Sequence, residues 1–325
     1  NTLYAAATSS GNGVSGLGSE AVTVTDSSVS ASDLNTLNTK TDYNITVNAT
    51  AISGSLSDVS TLYGNKAGDS DADTDGFTGL GNEAITLTDT GSIAASTLLT
   101  VAQANSSGTV DASNAGTITG TAEQIIDAYD DSTITEASDV ALTVNTANSG
   151  TATLTQARSL DGLTTGVVTA TIADTALSDL LDDSTPLLDA NGNNAFTITI
   201  GSGDAEVSAA DLNTLNGLTT VDIDAGNVTT ITSSGLDAIN TLYTSGGFSG
   251  LGDQDITASD SGSIAASTIT TIAAANSSGT LDVSDAATIT GTAAEIIAAF
   301  DDGTVTEADD VCLLYTSDAA DECSG

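Results

Sequence analysis

The sequence repeats itself, and this repetition limits the possible folds more than any other feature of the chain. Residues 91–140 align without a gap with residues 262–311, and the two segments share the strings GSIAAST, ANSSGT and TITGTA. The offset of 171 residues is three times 57, and strand-like segments recur at close to that interval, opening at Ile85, Leu142, Ile198 and Ile256. Such repeats are typical of solenoids, in which each unit buries its apolar side against its neighbours.

Each 57-residue unit divides into two similar halves with the same order of local structure. In one half, residues 109–111 and 117–119 alternate polar and apolar side chains, which is the period of a half-buried strand. Residues 121–129 follow, with Ile125, Ile126 and Tyr129 at the spacing of one helix face. Each half is therefore predicted to contain one or two short strands and one short helix.

The starts of the helices are marked by a hydroxyl residue followed three positions later by an acid or an amide. In such a capping box the two side chains bond to backbone N–H groups that the first helical turn leaves free. The pattern predicts helix starts at Ser30/Asp33, Ser55/Asp58, Thr121/Gln124, Ser208/Asp211, Ser234/Asp237 and Thr292/Glu295.

We therefore predict a single tandem-repeat solenoid over residues 1–311. It should be a parallel β-solenoid of the α/β class, with short helices on one side, coils like those of leucine-rich-repeat proteins, and about ten coils arranged in double units. Low aromatic content and high charge are also typical of disordered chains, but the hydrophobic residues, 39% of the chain, are periodic, as a packed core requires. The first strand of each coil should pair in parallel with that of the next, and these strands should begin near Val22, Ile45, Ile85, Thr109, Leu142, Val167, Ile198, Val221, Ile256 and Thr280.

The charge balance restricts the partners and the surroundings of the chain. Three Lys and Arg residues against 44 Asp and Glu residues give a formal net charge of −41, which repels nucleic acid and anionic membrane surfaces. Because Lys40, Lys66 and Arg158 can neutralise few carboxylates, the others must be solvated, screened by salt or bridged by divalent cations. A saline, calcium-containing medium suits such a chain, so we expect it outside the cell or on the cell surface. No apolar window is long enough for a transmembrane helix, and direct membrane insertion is not expected.

The two ends of the sequence differ from the rest. The chain opens at Asn1 in the middle of the repeat pattern, which suggests a stretch of a longer array. Both cysteines, Cys312 and Cys323, lie in a C-terminal segment of different character, VCLLYTSDAADE and the residues after it, which resembles translated sequencing-adapter read-through. Residues 312–325 are therefore expected to form an artefactual or disordered tail, and a disulfide or metal site is not expected there.

Few residue types suited to catalysis are present. The sequence has no His, Met or Trp, which removes most general bases and transition-metal ligands. Paired carboxylates hydrolyse glycosides in many enzymes, but chance pairs are expected among 44 acids. Lyase chemistry on acidic polysaccharides needs cationic residues, of which the chain has three. We predict that the protein is not an enzyme, and a solenoid polysaccharide lyase or glycosidase is the alternative in that class.

One acidic segment has the spacing of a calcium-binding loop. Its aspartates precede Gly76 in a pattern that resembles the first half of an EF-hand-type loop, where acids at positions 1, 3 and 5 converge and a glycine at position 6 permits the turn. Asn82 occupies position 12, where that loop has an acid, and the acid of this chain comes one residue later. A solvated acidic loop is the alternative. The segment predicts a structural calcium site made by Asp71, Asp73, Asp75, the backbone carbonyl of Phe77, and Glu83.

Thr-x-Thr triplets recur in the predicted strands, at residues 23–25, 86–88, 117–119, 197–199 and 288–290. Regular ranks of outward threonines on a solenoid resemble the ice-binding faces of some antifreeze proteins. Threonine also favours strands for its own sake, and the outward positions of a period-2 pattern need polar residues. A module that binds a polysaccharide or ice through this face is therefore the alternative function.

Asp-, Thr-, Ser- and Ala-rich units, of the type VTVTDSSVSASDLNTL at residues 22–37, resemble repeats of very large secreted or surface proteins of marine bacteria, notably cyanobacteria. The resemblance extends from residue 1 to about residue 311, and it rests on repeat style and composition. It implies a calcium-binding adhesin or surface-layer protein secreted by a type I route. The main prediction is accordingly a non-enzymatic, calcium-stabilised structural or adhesive spacer, whose partners are divalent cations, neighbouring repeats of its own chain, and a cell-surface or environmental polysaccharide.

Overall fold

The computed structural model of the chain describes residues 20–66, 76–145, 150–173, 176–182 and 192–315. Within these ranges the protein belongs to the α/β class and consists of short parallel strands and short helices. The chain forms two compact units, of which the first ends at Ala170 and the second begins at Thr171.

In the first unit, one or more strands are followed by a helix, and this order recurs along the chain. The strands are β1 (Val22–Val24), β2 (Ser28–Ser30), β3 (Ile45–Val47), β4 (Ala51–Gly54), β5 (Phe77–Thr78), β6 (Ala84–Leu87), β7 (Ser92–Ala94), β8 (Thr109–Asp111), β9 (Thr117–Gly120), β10 (Ile134–Thr135), β11 (Ala141–Val144), β12 (Thr151–Ala152) and β13 (Val168–Ile172), whose last two residues belong to the second unit. The helices are α1 (Ala31–Asn38), α2 (Leu56–Gly64), α3 (Ala95–Ala104), α4 (Ala122–Asp130) and α5 (Leu154–Leu163).

Strands of successive repeats pair in three parallel ladders in this unit. Their orders are β1-β3-β5, β2-β4-β6-β8-β10 and β7-β9-β11-β13. Inward side chains line up across the ladders: Ile52 pairs with Ile85 and Ile85 with Val110, and all three are at most 1% exposed. Neighbouring helices also contact each other in chain order, from α1 to α5. Each repeat thus buries its apolar side against the next, and the period-2 pattern of the sequence predicts these inward positions correctly.

The pairing partners predicted for Ile45, Thr109 and Val221 are wrong. The sequence pattern places the strand near Thr109 opposite Leu142 and the strand near Val221 opposite Ile256, but Val110 pairs with Ile134 and Ile223 with Phe248. The pattern also places Ile45 opposite the segment at Ile85, but Ile45 pairs with Phe77, and Ile85 pairs with Ile52. The reason is that the third repeat has three strands, β5, β6 and β7, before its helix, whereas the first two repeats have two each. Strand β5 is only two residues long, too short to show a recognisable alternation.

The second unit has the same organisation. Its strands are β14 (Ala195–Thr197), β15 (Glu206–Val207), β16 (Ile223–Asp224), β17 (Thr230–Ser234), β18 (Phe248–Ser249), β19 (Asp255–Ala258), β20 (Ser263–Ala265), β21 (Thr280–Asp282), β22 (Thr288–Gly291), β23 (Val305–Thr306) and β24 (Cys312–Tyr315). Its helices are α6 (Leu177–Leu180), α7 (Ala209–Asn216), α8 (Leu236–Thr244), α9 (Ala266–Ala275) and α10 (Ala293–Phe300), with a 3-10 helix at Ser202–Asp204. The parallel ladders are β15-β17-β19-β21-β23, β16-β18 and β20-β22-β24, and α7 to α10 contact one another in chain order.

Strand β24 is formed by the first four residues of the predicted tail. It pairs in parallel with β22, so that Leu313 stands opposite Ile289. The side chains of Cys312, Leu313 and Leu314 are exposed. Residues 316–325 lie outside the described residues, and the division of the chain at residues 311 and 312 therefore stays a prediction.

The capping pattern predicts five of the six helix starts correctly. At these five sites the hydroxyl accepts a hydrogen bond from the backbone N–H three residues later. The exception is Ser234, because α8 begins at Leu236 after Gly235. Ser234 Oγ accepts instead from the N–H of Ala209 in the preceding repeat, at 2.8 Å. A hydroxyl near a helix start can therefore serve a neighbouring repeat, which local spacing does not reveal.

Candidate functional site

The predicted calcium ligands lie in different surroundings. Asp71, Asp73 and Asp75 lie outside the described residues. Phe77 is fully buried, and its N–H in β5 donates to Asn65 O at 2.9 Å. Among the residues that the structure describes, no group of three or more His, Cys, Asp or Glu side chains is arranged to hold a metal ion. The calcium site therefore stays a prediction.

Glu83, the fifth predicted ligand, is 2% exposed and belongs to a buried polar cluster with Tyr63 and Asn105, which we call the first cluster. Its Oε2 lies 2.5 Å from the hydroxyl of Tyr63. The same oxygen accepts from the backbone N–H groups of Gly81, at 2.8 Å, and Asn82, at 3.0 Å. One carboxylate oxygen therefore holds the start of β6 against the end of α2.

Asn105 completes the first cluster from the following turn, and it is fully buried. Its Nδ2 donates to Glu83 O at 2.8 Å, and its Oδ1 accepts from Glu83 N at 3.1 Å and lies 2.9 Å from the Tyr63 hydroxyl. Burial raises the pKa of Tyr63 above its usual value, and the hydrogen bond and negative charge of Glu83 raise it further. The phenol therefore keeps its proton and acts as a donor.

An equivalent group, the second cluster, is formed in the second unit by Tyr243, Gln254 and Asn276. Gln254 Oε1 lies 3.0 Å from the Tyr243 hydroxyl and accepts from the N–H groups of Gly252 and Asp253, at 2.7 and 3.2 Å. Asn276 Nδ2 donates to Gln254 O at 2.7 Å, and Asn276 Oδ1 accepts from Gln254 N at 2.9 Å. The bonds are those of the first cluster, with an amide oxygen in place of the carboxylate oxygen.

The two clusters differ in the second atom of that side chain. Gln254 Nε2 donates to Val228 O at 3.1 Å, to Gly250 O at 3.2 Å and to Asp253 Oδ1 at 2.9 Å. Glu83 has an oxygen in place of this nitrogen, and an ionised carboxylate can only accept. The second cluster is therefore neutral and fully bonded, whereas the first introduces a negative charge.

A lysine lies near the first cluster, which contains the charged Glu83. Lys66 Nζ donates to Ala104 O at 3.2 Å and lies beside Gly81, the residue whose N–H bonds to Glu83. At the same distance after the tyrosine, the second cluster has Gly246. A cationic side chain therefore lies beside the loop that bonds to the acid, and the second cluster has none at the equivalent place.

Sequence reasoning found Glu83 but assigned it to calcium alone, and it missed the clusters. A signal for them is present, because Glu83 and Gln254, like Asn105 and Asn276, are 171 residues apart. The tyrosines do not follow this offset, since Tyr63 precedes Glu83 by 20 residues and Tyr243 precedes Gln254 by 11. The difference falls where the acidic segment is inserted, and it conceals the equivalence.

Aspartates also join successive repeats by capping the helix of the preceding one. Asp89 Oδ2 accepts from Leu56 N at 2.7 Å, and in the second unit Asp260 Oδ2 accepts from Leu236 N at 2.6 Å and Asp204 Oδ2 from Leu177 N at 3.0 Å. A carboxylate at this end of a helix satisfies a free N–H and interacts favourably with the helix dipole. Part of the acidic composition therefore has a structural use at the boundaries between repeats.

Outward threonines align in the first unit. Two ranks of three directly paired threonines occur on adjacent strands, Thr23-Thr46-Thr78 and Thr119-Thr143-Thr169. Thr78 and Thr46 also hydrogen-bond through their hydroxyls, at 3.2 Å. In the second unit the pairing mixes residue types, since Thr257 stands opposite Asp282 and Thr290 opposite Leu314. The regular threonine array is thus short.

A further pair of equivalent acids is partly buried. Glu136 Oε1 and Glu307 Oε1 are buried atoms without a hydrogen-bond partner, as is the hydroxyl of Tyr129. The pKa of Glu136 is raised to about 7, chiefly by burial. A backbone hydrogen bond lowers this pKa and the charge of Asp131 raises it, both by less than burial does. Burial likewise raises the pKa of Glu307. These acids therefore favour the protonated form more than an exposed glutamate does.

Every helix in the described ranges is too short or too polar to cross a membrane. The chain matches no family model, and comparison with curated proteins and with solved structures found no match either.

Proposed function

We propose that this chain is a tandem-repeat solenoid that serves as a non-enzymatic structural or adhesive spacer outside the cell. The observation that carries the proposal is the parallel pairing of equivalent segments, repeat after repeat, within each unit. The buried clusters and the aspartate caps support it, because they bind several of the repeats to their neighbours. In this proposal the first partners of a repeat are its neighbours, which hold a long array at a fixed spacing.

The extracellular location and a structural calcium ion are further parts of the proposal. A net charge of −41 is best tolerated in a saline medium, where salt screens the repulsion. Asp71, Asp73 and Asp75 form a donor set of hard oxygen ligands that suits calcium. Since Glu83 Oε2 already bonds to three donors, we assign the ion chiefly to the three aspartates. Bound calcium would neutralise their mutual repulsion.

The calcium site is tested by thermal unfolding with millimolar calcium and with a chelator. Calcium should raise the midpoint, because an ion that binds the folded loop in preference to the unfolded chain stabilises by mass action. Changing Asp71, Asp73 and Asp75 together to Asn should remove most of this rise. A matched variant, Glu123→Gln with Asp127→Asn and Asp130→Asn on the exposed face of α4, loses the same charge and should keep it.

General screening must be separated from a specific site. Magnesium, and sodium chloride at matched ionic strength, are the controls, because both relieve a polyanion without needing the loop. If sodium chloride alone raises the midpoint as much as calcium does, the specific site does not exist.

The solenoid is tested by deleting repeats. Removal of residues 109–133 takes out β8, β9 and α4 and leaves β10 and β11 to pair with β6 and β7. This variant should stay folded, with the circular dichroism of a shortened array. Removal of residues 109–120 alone takes out fewer residues, but it removes only part of a repeat. The repeats after the deletion then no longer align with those before it, so this variant should be less stable. If the shorter deletion is the better tolerated, stacking in phase is not what holds the repeats together.

The two threonine ranks favour a second candidate function, the binding of a polysaccharide or of ice. Adjacent strands place successive threonines about 4.8 Å apart, a regular spacing that a crystal or a polysaccharide could match. Retention of the chain in slowly growing ice would support this function, and Thr143→Tyr, which puts a bulky side chain in the middle of one rank, should abolish retention. Exclusion of the unmodified chain from ice would remove ice as the ligand.

A further inference from the structure

A groove of about 410 Å³ lies between the second and third repeats of the first unit, and we call it the hydroxyl groove. One wall is formed by the first two turns of α2, and the other by β7 and the first turn of α3. The described chain is interrupted after Lys66, beyond the opposite end of α2. Described residues of two successive repeats therefore form both walls of the groove.

Hydroxyl side chains dominate the lining of this groove. They belong to Ser57, Ser60, Thr61, Ser92 and Thr97. Except for Thr61, which donates to Ser57 O at 2.9 Å, their hydroxyls make no hydrogen bond to another described residue. Leu56 and Ile93 add buried apolar surface, and Asp89 adds one carboxylate. The groove therefore offers several free donors and acceptors beside a small apolar surface.

The groove results from the additional strand of the third repeat. Because β6 pairs with β4, β7 is the end strand of its ladder within the described ranges, and the start of α2 lies beside it. Asp89, in the loop between β6 and β7, holds this arrangement, since its Oδ2 accepts from Leu56 N at 2.7 Å. Its other oxygen has no partner among the described residues and can accept a hydrogen bond from a ligand.

The second unit has a groove of about 470 Å³ at the equivalent place, between α6 and β15. An aspartate, Asp204, again caps the helix. Glu206 and Asp211 line this groove at the positions of Ser92 and Thr97, so it is more acidic. Since α6 ends close to residues outside the described ranges, only the hydroxyl groove is considered as a site.

We propose that the hydroxyl groove binds a neutral polysaccharide. Serine and threonine hydroxyls both donate to and accept from the hydroxyl groups of a sugar, while Leu56 and Ile93 offer apolar surface to the C–H groups of its ring. The volume is in the range of small-ligand sites. A net charge of −41 repels an anionic polysaccharide, and a lining with five hydroxyl residues and one carboxylate suits uncharged hydroxyls better than a row of cations. The proposal rests on the adhesive function proposed above and names a site and a ligand class for it.

An extended peptide is the competing occupant, because an end strand such as β7 can pair with another strand. Strand β7 has only three residues, which provide few backbone hydrogen bonds to an added strand. The free hydroxyls of both walls match a sugar at more positions, so the lining favours the polysaccharide.

Methyl NMR of the whole chain tests the site, with Leu56 and Ile93 as reporters. Cellohexaose and mannohexaose are the neutral probes, and an oligogalacturonate of the same length is the anionic one. Because the groove is open and has no aromatic lining residue, the dissociation constant should be on the order of 1 mM, and probes are added up to about 10 mM. At least one neutral probe should shift the methyl signals of both reporters. A shift of these signals by the anionic probe, or by neither neutral probe, overturns the proposal.

Filling the groove provides a matched pair of variants. Ser60→Leu with Thr97→Leu removes two hydroxyls from the groove and should weaken binding at least about tenfold. Ser96→Leu with Thr100→Leu makes the same changes on the exposed side of α3 and should leave binding unchanged. Undiminished binding by the filled variant overturns the proposal.

Further variants and probes separate this site from the others. If the filled variant fails to fold by circular dichroism, Ser57→Leu with Ser92→Leu, at two exposed positions, replaces it. Thr143→Tyr, in a threonine rank, should bind the neutral probe as the unmodified chain does, and a loss of binding in this variant alone overturns the proposal. A peptide of alternating threonine and valine that shifts the Ile93 signal when no saccharide does also overturns it. The spacer function is judged separately by the deletions of residues 109–133 and 109–120.

Discussion

Glu83 and Gln254 fill the same position in two equivalent clusters, and the comparison shows which atoms matter. In both, one side-chain oxygen accepts from a tyrosine and from two backbone N–H groups. Only the amide nitrogen of Gln254 can also donate to the carbonyl oxygens of Val228 and Gly250. The amide therefore bonds to both the donors and the acceptors around this position, whereas the carboxylate bonds only to the donors.

Exchanging these residues should have unequal effects. Glu83→Gln should change the free energy of unfolding by less than about 1 kcal/mol, because the amide keeps the accepting oxygen. Gln254→Glu should lower it by about 1–3 kcal/mol, because the bonds donated by the amide nitrogen are lost and a charge is buried where the second cluster has no lysine. Urea unfolding measures both, with Gln103→Glu on the exposed side of α3 as the control for added charge. Equal losses at residues 83 and 254 would contradict the conclusion that an amide suits this position better than a carboxylate.

Glu136 connects stability to pH. The pKa of this group is about 7 in the folded chain, against 4.5 for an ordinary glutamate, chiefly because of burial. The folded chain therefore holds the proton more tightly than the unfolded chain does. This tighter proton binding stabilises the folded state. Its contribution is fully present below about pH 4.5 and is lost as the pH rises through about 7.

The variant Glu136→Gln should remove this dependence. Its stability relative to the unmodified chain should increase as the pH rises from about 4.5 to about 7. The free energy of unfolding, measured in urea at several pH values across this window, gives the result. Glu123→Gln, at an exposed position of α4, controls for the loss of one charge. Parallel curves for Glu136→Gln and the unmodified chain would show that burial of Glu136 does not affect stability.

The turn after α3 and the equivalent turn after α9 bring backbone into close contact. A Cβ atom on Gly108 would lie well under 3.0 Å from Asn105 Nδ2 and Glu83 O, and one on Gly279 would meet Asn276 and Gln254 in the same way. Glycine is needed at these turns because the buried clusters leave no room for a side chain. In the ANSSGT string, the asparagine therefore belongs to the buried cluster, and the glycine lets the turn pass close to it.

Alanine at these glycines should therefore be costly. Gly108→Ala and Gly279→Ala should each lower the free energy of unfolding by at least about 2 kcal/mol, because neighbouring backbone must move. Gly91→Ala and Gly262→Ala are matched controls 171 residues apart, with no atom within 4 Å of the new Cβ. They should be neutral or stabilising by up to about 1 kcal/mol. Thermal and urea unfolding decide the matter, and similar losses in all four variants would refute the steric explanation.

The large negative charge acts on the entire chain. Its carboxylates are closer together when the chain is folded, so repulsion destabilises the compact state. The unfolding midpoint should therefore rise by several degrees between about 10 mM and about 0.5 M sodium chloride, as the screening length falls from roughly 30 Å to about 4 Å. Calorimetry without divalent cations measures this rise. A midpoint that does not depend on salt would mean that the aspartate caps and bound water already offset the repulsion.

Local patterns in the sequence determined the elements of this protein. Alternation over three to five residues identified strands and their inward side chains, such as Ile85 and Leu142, because one side of a strand faces the core and the other faces water. Hydroxyl–acid spacing identified five helix starts, because the capping bonds lie within one turn. Gap-free repetition indicated that the elements stack. All of this information lies within a few residues or in the comparison of one repeat with another.

Only the tertiary structure decided which repeats meet and what lies between them. Ile45 pairs with Phe77, and not with the segment at Ile85, because an additional strand enters the third repeat. Tyr63 reaches Glu83 and Asn105 across 20 and 42 residues. An insertion in one copy hides this arrangement from a comparison of repeats, so the sequence identified Glu83 without its partners. Such contacts depend on how whole repeats pack, and the spacing of residues along the sequence does not predict that packing.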